Sequence, residues 1–163
     1  MNILTQDKHV KKLSLWNPIH FLALGFGSGK VAKAPGTFGT LAAVPIVLLM
    51  QQLSLMPYLI ITCICIIAGV YICGKTAKDM GVHDHGSIVW DEVVGLMITM
   101  LAVPDSWEWL AIGFGLFRFF DIIKPWPIRW LDAKVHGGFG IMIDDVLAGI
   151  FALIGVQLFV HFL

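Results

Sequence analysis

The sequence predicts an all-α fold: a polytopic membrane helix bundle of about four to five spanning helices, preceded by an N-terminal interfacial or re-entrant helix. Three observations carry this expectation. Hydrophobic residues make up 58% of the 163 and charged residues only 13%, against about 45–50% and 25% in soluble domains; mean hydropathy is +0.84. Apolar runs of helical length alternate with short polar or proline-bearing connectors, and the basic residues fall on alternate connectors. A water-soluble domain of this size could not hide so much apolar surface, since small domains keep a large share of their area exposed. Lipid must cover the remainder, and a single domain over 1–163 is expected at this length.

Taken in order, Leu13 to Gly27 is apolar but holds only about 15 residues, short of the roughly 20 that cross a bilayer. This is the interfacial or re-entrant helix. Gly25 to Gly36 follows as a glycine-rich, lysine-bearing loop ending in Ala34-Pro35-Gly36. Thr37 to about Leu55 is the first span, kinked at Pro45. Pro57 to Gly74 is the second, Lys75 to Ser87 a polar connector, and Ile88 to Val103 the third, opening on Asp91 and Glu92. Pro104-Asp105-Ser106 makes a turn, and Trp107 starts a fourth span that runs to about Ile123. Pro125 and Pro127 stop it, because a residue before proline avoids helical geometry. A looser segment passes through Gly137-Gly138, and the last span starts near Ile141 and reaches the C-terminus. Lys8, Lys11 and Lys12 ahead of an apolar stretch imitate a secretory leader with Ala32-Lys33-Ala34 as its cut. Asn17-Pro18, His20, Lys30 and Lys33 interrupt that pattern, so no cleavage is expected.

With the N-terminus on the cytoplasmic side, Met1–Gly36, Lys75–Ser87 and Arg118–Gly140 share that side and hold all eleven Lys and Arg residues. The opposite connectors, Gln51–Met56 and Pro104–Trp109, hold none and carry only Asp105 and Glu108. This is the positive-inside distribution. A formal net charge of zero argues against nucleic acid as a partner. Cys63, Cys65 and Cys73 lie in one apolar run without metal-site spacing and are expected as buried thiols. Trp107, Trp109, Trp126 and Trp130 read as interfacial anchors.

Five carboxylates stand inside or at the edge of apolar helices: Asp91, Glu92, Asp121, Asp144 and Asp145. Such groups are costly in a membrane and usually mark function. Asp91-Glu92 opens the third span from the basic side, Asp121 closes the fourth toward it, and Asp144-Asp145 opens the last from it. All five therefore sit at a similar depth, where three helix ends can gather them. Like charges disfavour joint ionisation unless a cation is present, and hard oxygen ligands favour Mg²⁺ or Mn²⁺. The plainer alternative pairs these acids with Arg118, Lys124 and Arg129 to stitch helices together; Arg118 and Asp121, three apart, suit it. Gly95, Ala148 and Gly149, each about one turn beyond an acid, would let the helices approach closely.

Other motifs say less. Gly25-Phe-Gly-Ser-Gly-Lys30 imitates a nucleotide-binding loop, but Leu24 stands where the first glycine belongs and Val31 where Ser or Thr should follow the lysine. Pro35-Gly36-Thr37-Phe38-Gly39-Thr40 enters a helix whose N-terminus could meet phosphate, or is a simple capped turn. His83-Asp84-His85 reads as a solvated loop, and His136 as a loop histidine.

Four runs in order resemble one known family: Ala34-Pro-Gly-Thr-Phe-Gly-Thr40, Trp90-Asp-Glu-Val-Val-Gly95, Phe117-Arg-Phe-Phe-Asp-Ile-Ile-Lys-Pro-Trp-Pro127 and Gly137-Gly-Phe-Gly-Ile-Met-Ile-Asp-Asp-Val-Leu-Ala-Gly149. They resemble the phosphatidylglycerophosphatase A family over most of the chain beyond its first dozen residues. The stretches Lys30-Val-Ala-Lys33 and His83-Asp84-His85 depart from the pattern, outside the acidic core. The resemblance implies a Mg²⁺-dependent phosphatase of the bacterial inner (cytoplasmic) membrane, its active site facing the cytoplasm. Such an enzyme converts phosphatidylglycerophosphate of the cytoplasmic leaflet to phosphatidylglycerol and inorganic phosphate, the last step of phosphatidylglycerol synthesis. It implies further that Asp91, Glu92, Asp121, Asp144 and Asp145 are the catalytic and metal-holding acids. Arg118 and Lys124 fall on the family's basic positions, and Thr37 and Thr40 on its loop, as substrate-binding residues. On this reading the cation binds the terminal phosphate and acidifies a water, Arg118 and Lys124 neutralise developing charge, and Asp145 or Glu92 is the general base. An aspartyl phosphate is the alternative route. A transporter would be expected to show internal repeats and midplane acids. A headgroup transferase would carry a different acidic spacing, and a scaffold has no need of five acids at one depth.

Overall fold

The computed structural model describes residues 8–162, all in helices, turns and connectors without a strand. The expected placement of Met1 on the basic side lies outside these residues. A 3₁₀ turn at Val10–Lys12 leads into α1 (Pro18–Ala23), capped by the Asn17 side chain on the Ile19 amide and started by proline at its first position. A second 3₁₀ piece, Gly25–Lys30, is broken by left-handed Phe26 and Gly27. The single helix expected over Leu13 to Gly27 is therefore two short pieces. They are held in place by the Ala23 carbonyl, which accepts from the Val89 amide at 2.8 Å.

The remaining helices are α2 (Pro35–Met50), α3 (Leu55–Met80), α4 (Trp90–Thr99), α5 (Trp107–Ile123), α6 (Ile128–Lys134) and α7 (Gly137–Phe162). Two of them, α3 and α7, are 26 residues long and apolar enough to cross a membrane by length and composition. That is fewer than the four to five spans expected from the sequence, and the reason is physical. A helix rises about 1.5 Å per residue, so the 10 residues of α4 and the 16 of α2 fall short of a roughly 30 Å hydrocarbon layer. The apolarity of Ile88–Val103 has a different cause: Val93, Val94, Leu96, Met97 and Ile98 are all buried by protein, with α2, α3, α5 and α7 packed around α4. A turn at Met100–Ala102, with Ala102 left-handed, ends the helix early. In α3, by contrast, only 22% of the most apolar stretch is buried, and Ile60, Ile61, Ile64, Ile67 and Tyr71 face outward. Of the three cysteines on α3 only Cys73 is buried. Cys63 is exposed on the outward face, which corrects the expectation for it.

Packing around α4 and α7 defines the core. One apolar cluster joins Leu24, Ile72, Met80, Trp90, Val94 and Met142. A second joins Val47, Val93, Met97, Met100, Leu110 and Val156, and a third places Phe117 and Ile128 against Ala148 and Ala152. The α4–α7 crossing is backbone to backbone. A Cβ on Gly149 would lie 2.7 Å from the Gly95 carbonyl oxygen, and Thr99 Oγ1 donates to that same carbonyl at 2.9 Å. The small residues singled out in the sequence thus set the distance between the two helices that carry four of the five acids.

Candidate active site

Helix direction brings the acids together. Asp91 and Glu92 lie in the first turn of α4, where the helix dipole favours negative charge. Asp144 and Asp145 lie about two turns into α7, and Asp121 in the last turn of α5. These three helix ends meet at one end of the bundle. Asp91, Glu92 and Asp145 each offer one carboxylate oxygen within 4.8 Å of the other two. Asp145 is 2% exposed and Asp144 6%.

The two remaining acids pair with bases. Arg118 and Asp121 make an ion pair one turn apart on α5, and the same guanidinium nitrogen stands 3.8 Å from Glu92 Oε1. Lys124, left-handed at the end of α5, places its ammonium 2.6 Å from Asp144 Oδ2 and 2.9 Å from Asp132 Oδ1. Burial works against the charge on Lys124, yet Asp144 and Asp132 hold its ammonium above the ordinary lysine range. The pairing expected of Arg118 and Lys124 is present: Asp121 is held within α5, Asp144 is joined to the end of α5, and Asp91, Glu92 and Asp145 stand together.

Those three, and Asp144 beside them, are not fully satisfied by the protein. Asp91 Oδ1, Glu92 Oε2, Asp144 Oδ1 and Asp145 Oδ2 are buried side-chain oxygens without a hydrogen-bond partner among the described residues. Buried polar atoms are normally paired, and buried carboxylates all the more so. An all-oxygen donor set with orphaned acceptors suits a hard divalent cation, and Asp91, Glu92 and Asp145 are the residues that could hold one.

The loop entering α2 closes one side. A Cβ on Gly36 would collide with Glu92 Oε1 and lie 3.1 Å from an Arg118 nitrogen, so the first turn of α2 sits directly on the Glu92–Arg118 pair. A larger residue at 36 would displace the Glu92 and Arg118 side-chain tips. Thr37 is half-buried in this turn. Thr40 is fully buried, and its hydroxyl donates to the Gly36 carbonyl at 2.9 Å, bracing the turn from behind. The structure therefore gathers Asp91, Glu92, Asp145 and Arg118 around one point, with Asp121, Asp144 and Lys124 at its margin; Thr37 is in the adjoining turn of α2, without a hydrogen bond to the acids among the described residues, and Thr40 is buried one turn on. Asp132 was not singled out in the sequence. A solvated acid in a connector carries no signal of its own, and its pairing with Lys124 depends on the fold of α6. Gly36 also escaped notice as a packing residue.

Comparison with known proteins places the chain. A family model described as phosphatidylglycerophosphatase A matches residues 21–160. A protein of Haemophilus influenzae named phosphatidylglycerophosphatase A is 56% identical over 155 residues, covering 94% of this chain and 95% of that protein. One of the same name from Escherichia coli is 55% identical over 153 residues, covering 92% of this chain and 89% of that protein. No solved structure matches.

Proposed function

The chain belongs to the phosphatidylglycerophosphatase A family, and from that membership we propose that it hydrolyses phosphatidylglycerophosphate to phosphatidylglycerol and inorganic phosphate. It is a phosphatase. The reaction would complete phosphatidylglycerol synthesis, require Mg²⁺ and run at the cytoplasmic leaflet of the bacterial inner membrane, in a single multi-pass domain. The observation that carries this reading is the trio Asp91, Glu92 and Asp145, with buried orphaned oxygens, set beside Arg118 and the first turn of α2. Membrane residence is supported by the outward apolar face of α3 and by basic residues gathered at the end of the bundle that holds the acids.

Residue roles follow from position. Asp91, Glu92 and Asp145 hold Mg²⁺, which when bound supplies a Lewis acid for the phosphoryl oxygens. Arg118, already shared between Glu92 and Asp121, is placed to turn its fork toward the terminal phosphate and stabilise charge that develops on it. The amino-terminal turn of α2 adds partial positive charge on the same side. Lys124 holds Asp144 in place, and Thr40 keeps the Gly36 turn from spreading. Glu92 or Asp145 accepts the proton of the attacking water.

The test is phosphate release by purified protein in detergent micelles containing phosphatidylglycerophosphate, with Mg²⁺, with chelator and with Asp145→Asn. Mg²⁺-dependent release that disappears in the variant is expected. A folded wild-type protein that releases none would overturn the reading, and equal release from phosphatidic acid would refute headgroup selectivity.

A further inference from the structure

A cavity of about 600 Å³ lies apart from the acids. It lies between the C-terminal part of α3 and the start of α7, and Asp91, Glu92, Asp121, Asp144 and Asp145 are all absent from its lining. The two helices meet backbone to backbone in its lining: a Cβ on Gly138 would overlap the Val70 carbonyl and lie 2.9 Å from the Gly74 amide nitrogen. No side chain larger than glycine's hydrogen fits there, so α3 and α7 are in close contact along the groove.

Polarity runs along the groove in one direction. At the end nearer the connector stand Lys75 and Lys78, with Gly137 and Gly138 opening α7 beneath them. Lys78 is exposed and has no ion-pair partner among the described residues, whereas Lys75 is shared with Asp79 one turn on. The start of a 26-residue helix adds partial positive charge. His83 caps this end by accepting the Gly137 amide at 2.9 Å. At the other end the lining becomes Val70 and Tyr71, and Tyr71 is 64% exposed. It continues into Ile67 and Ile64, on the outward apolar face of α3. Cations at one end and an open apolar track at the other match a molecule with an anionic head and a hydrocarbon tail. The volume falls within the range of small-ligand sites, roughly 300–1,000 Å³.

We propose that this groove binds an anionic glycerophospholipid of the surrounding bilayer at a site separate from the acidic cluster. Its phosphate lies against Lys78 and Lys75, and an acyl chain runs along Tyr71 and Ile67. The inference rests on the membrane reading above but not on the reaction assigned to the acids.

The experiment uses full-length protein in neutral detergent with chelator present. It is titrated with acyl-fluorescent phosphatidylglycerol and with acyl-fluorescent phosphatidylcholine, read as anisotropy, and co-flotation with pure phosphatidylcholine vesicles is measured in parallel. Wild type is expected to prefer phosphatidylglycerol by about fivefold or more, the worth of one cation beside an anionic lipid. Lys78→Gln and Lys78→Glu should abolish the preference, Lys78→Arg should keep it, and Asp145→Asn should bind as wild type does. A preference that survives Lys78→Glu, or that disappears in Asp145→Asn, places the lipid elsewhere and overturns the proposal. Flotation without any headgroup preference overturns the lipid site alone. Failure to float at all overturns the membrane reading and this inference with it.

Discussion

Replacing Gly149 by alanine would put a methyl group 2.7 Å from the Gly95 carbonyl oxygen, 3.1 Å from Ile98 Cβ and 3.3 Å from Gly95 Cα. All three atoms belong to α4 near its backbone, so no flexible side chain can absorb the collision. Relaxed C···O contacts lie at about 3.3–3.6 Å, which requires α7 to retreat from α4 by at least about 0.6 Å. Overpacking of this kind costs about 1–3 kcal/mol, and the better helix propensity of alanine returns up to ~1 kcal/mol. A modest loss of stability is therefore expected. Asp145 is one turn before Gly149, and it faces Asp91 and Glu92 across the same crossing. Since a displacement of about 1 Å at reacting groups can cost ~100-fold, turnover should fall about tenfold, far out of proportion to the stability change. Phosphate release at saturating substrate and Mg²⁺, with thermal unfolding in the same micelles, measures both. Gly115→Ala is the control: a Cβ there meets nothing within 4 Å, so activity should be unchanged and stability equal or higher. Wild-type turnover in Gly149→Ala with an unshifted unfolding temperature would refute the claim that this glycine contact sets the spacing of the acids.

Asp145→Asn should abolish Mg²⁺-dependent release yet raise the unfolding temperature in chelator, because it relieves repulsion among three crowded carboxylates; unfolding scans with and without Mg²⁺ check both signs. Mg²⁺ at about 100 times its dissociation constant should stabilise wild type by ~2.7 kcal/mol, and Asp145→Asn should lose most of that gain. Arg118→Lys retains the charge but loses the planar fork shared by Glu92 and Asp121; kcat is expected to fall at least about tenfold, with intact folding by circular dichroism. Lys124→Ala strands Asp144, whose side chain is 8% exposed, and should destabilise by about 2–3 kcal/mol, the lower end for a broken buried pair because Lys124 is a quarter exposed. The double variant Lys124→Ala, Asp144→Asn should recover much of that stability in urea unfolding, and no recovery would argue against the pair.

The acids were legible in the sequence because an apolar background makes each carboxylate conspicuous. Their convergence was legible because helix direction follows from counting turns between connectors. Asp91-Glu92 beginning one helix, Asp121 ending another and Asp144-Asp145 beginning a third leave one end of the bundle as their common place, and the structure puts them there. Gly95 and Gly149 were legible for a related reason, since a small residue one turn from an acid has few other uses. Helix extent was not legible. Lys75–Met80 read as connector, yet it continues α3, with Lys75 and Asp79 paired four apart along it. Gly137–Gly140 read as loose, yet it begins α7, because glycine lets that turn press on Val70 and Gly74 of α3. In both cases local propensity yields to tertiary contact, which no single segment records. The division of labour among the acids was equally hidden, because the Lys124–Asp144 bond joins residues 20 apart through a left-handed residue.

The same limit explains the overcounted spans and connects them to the chemistry. Apolarity over Ile88–Val103 is consistent with either lipid or protein as the surroundings, and periodicity cannot separate the two when every face is buried. The structure assigns that apolarity to protein: α4 is a short central helix covered by α2, α3, α5 and α7. A helix placed there can carry Asp91 and Glu92 at its N-terminus away from hydrocarbon, where a lipid-facing span would meet the full cost of burying charge. Its neighbours then supply the remaining parts at one level: Asp145 from α7, Arg118 from α5 and the Gly36 turn from α2. The shortness of α4 and the position of the site are thus one feature. Lengthening α4 by one turn, with four alanines inserted after Thr99, should leave the acid trio in place while disturbing Tyr58, whose hydroxyl bonds the Met97 carbonyl at 2.8 Å at the opposite end. Stability should fall and Mg²⁺-dependent release by the folded fraction should persist. Loss of release from protein that remains folded would show that the far end of α4, and not only its first turn, holds the site together.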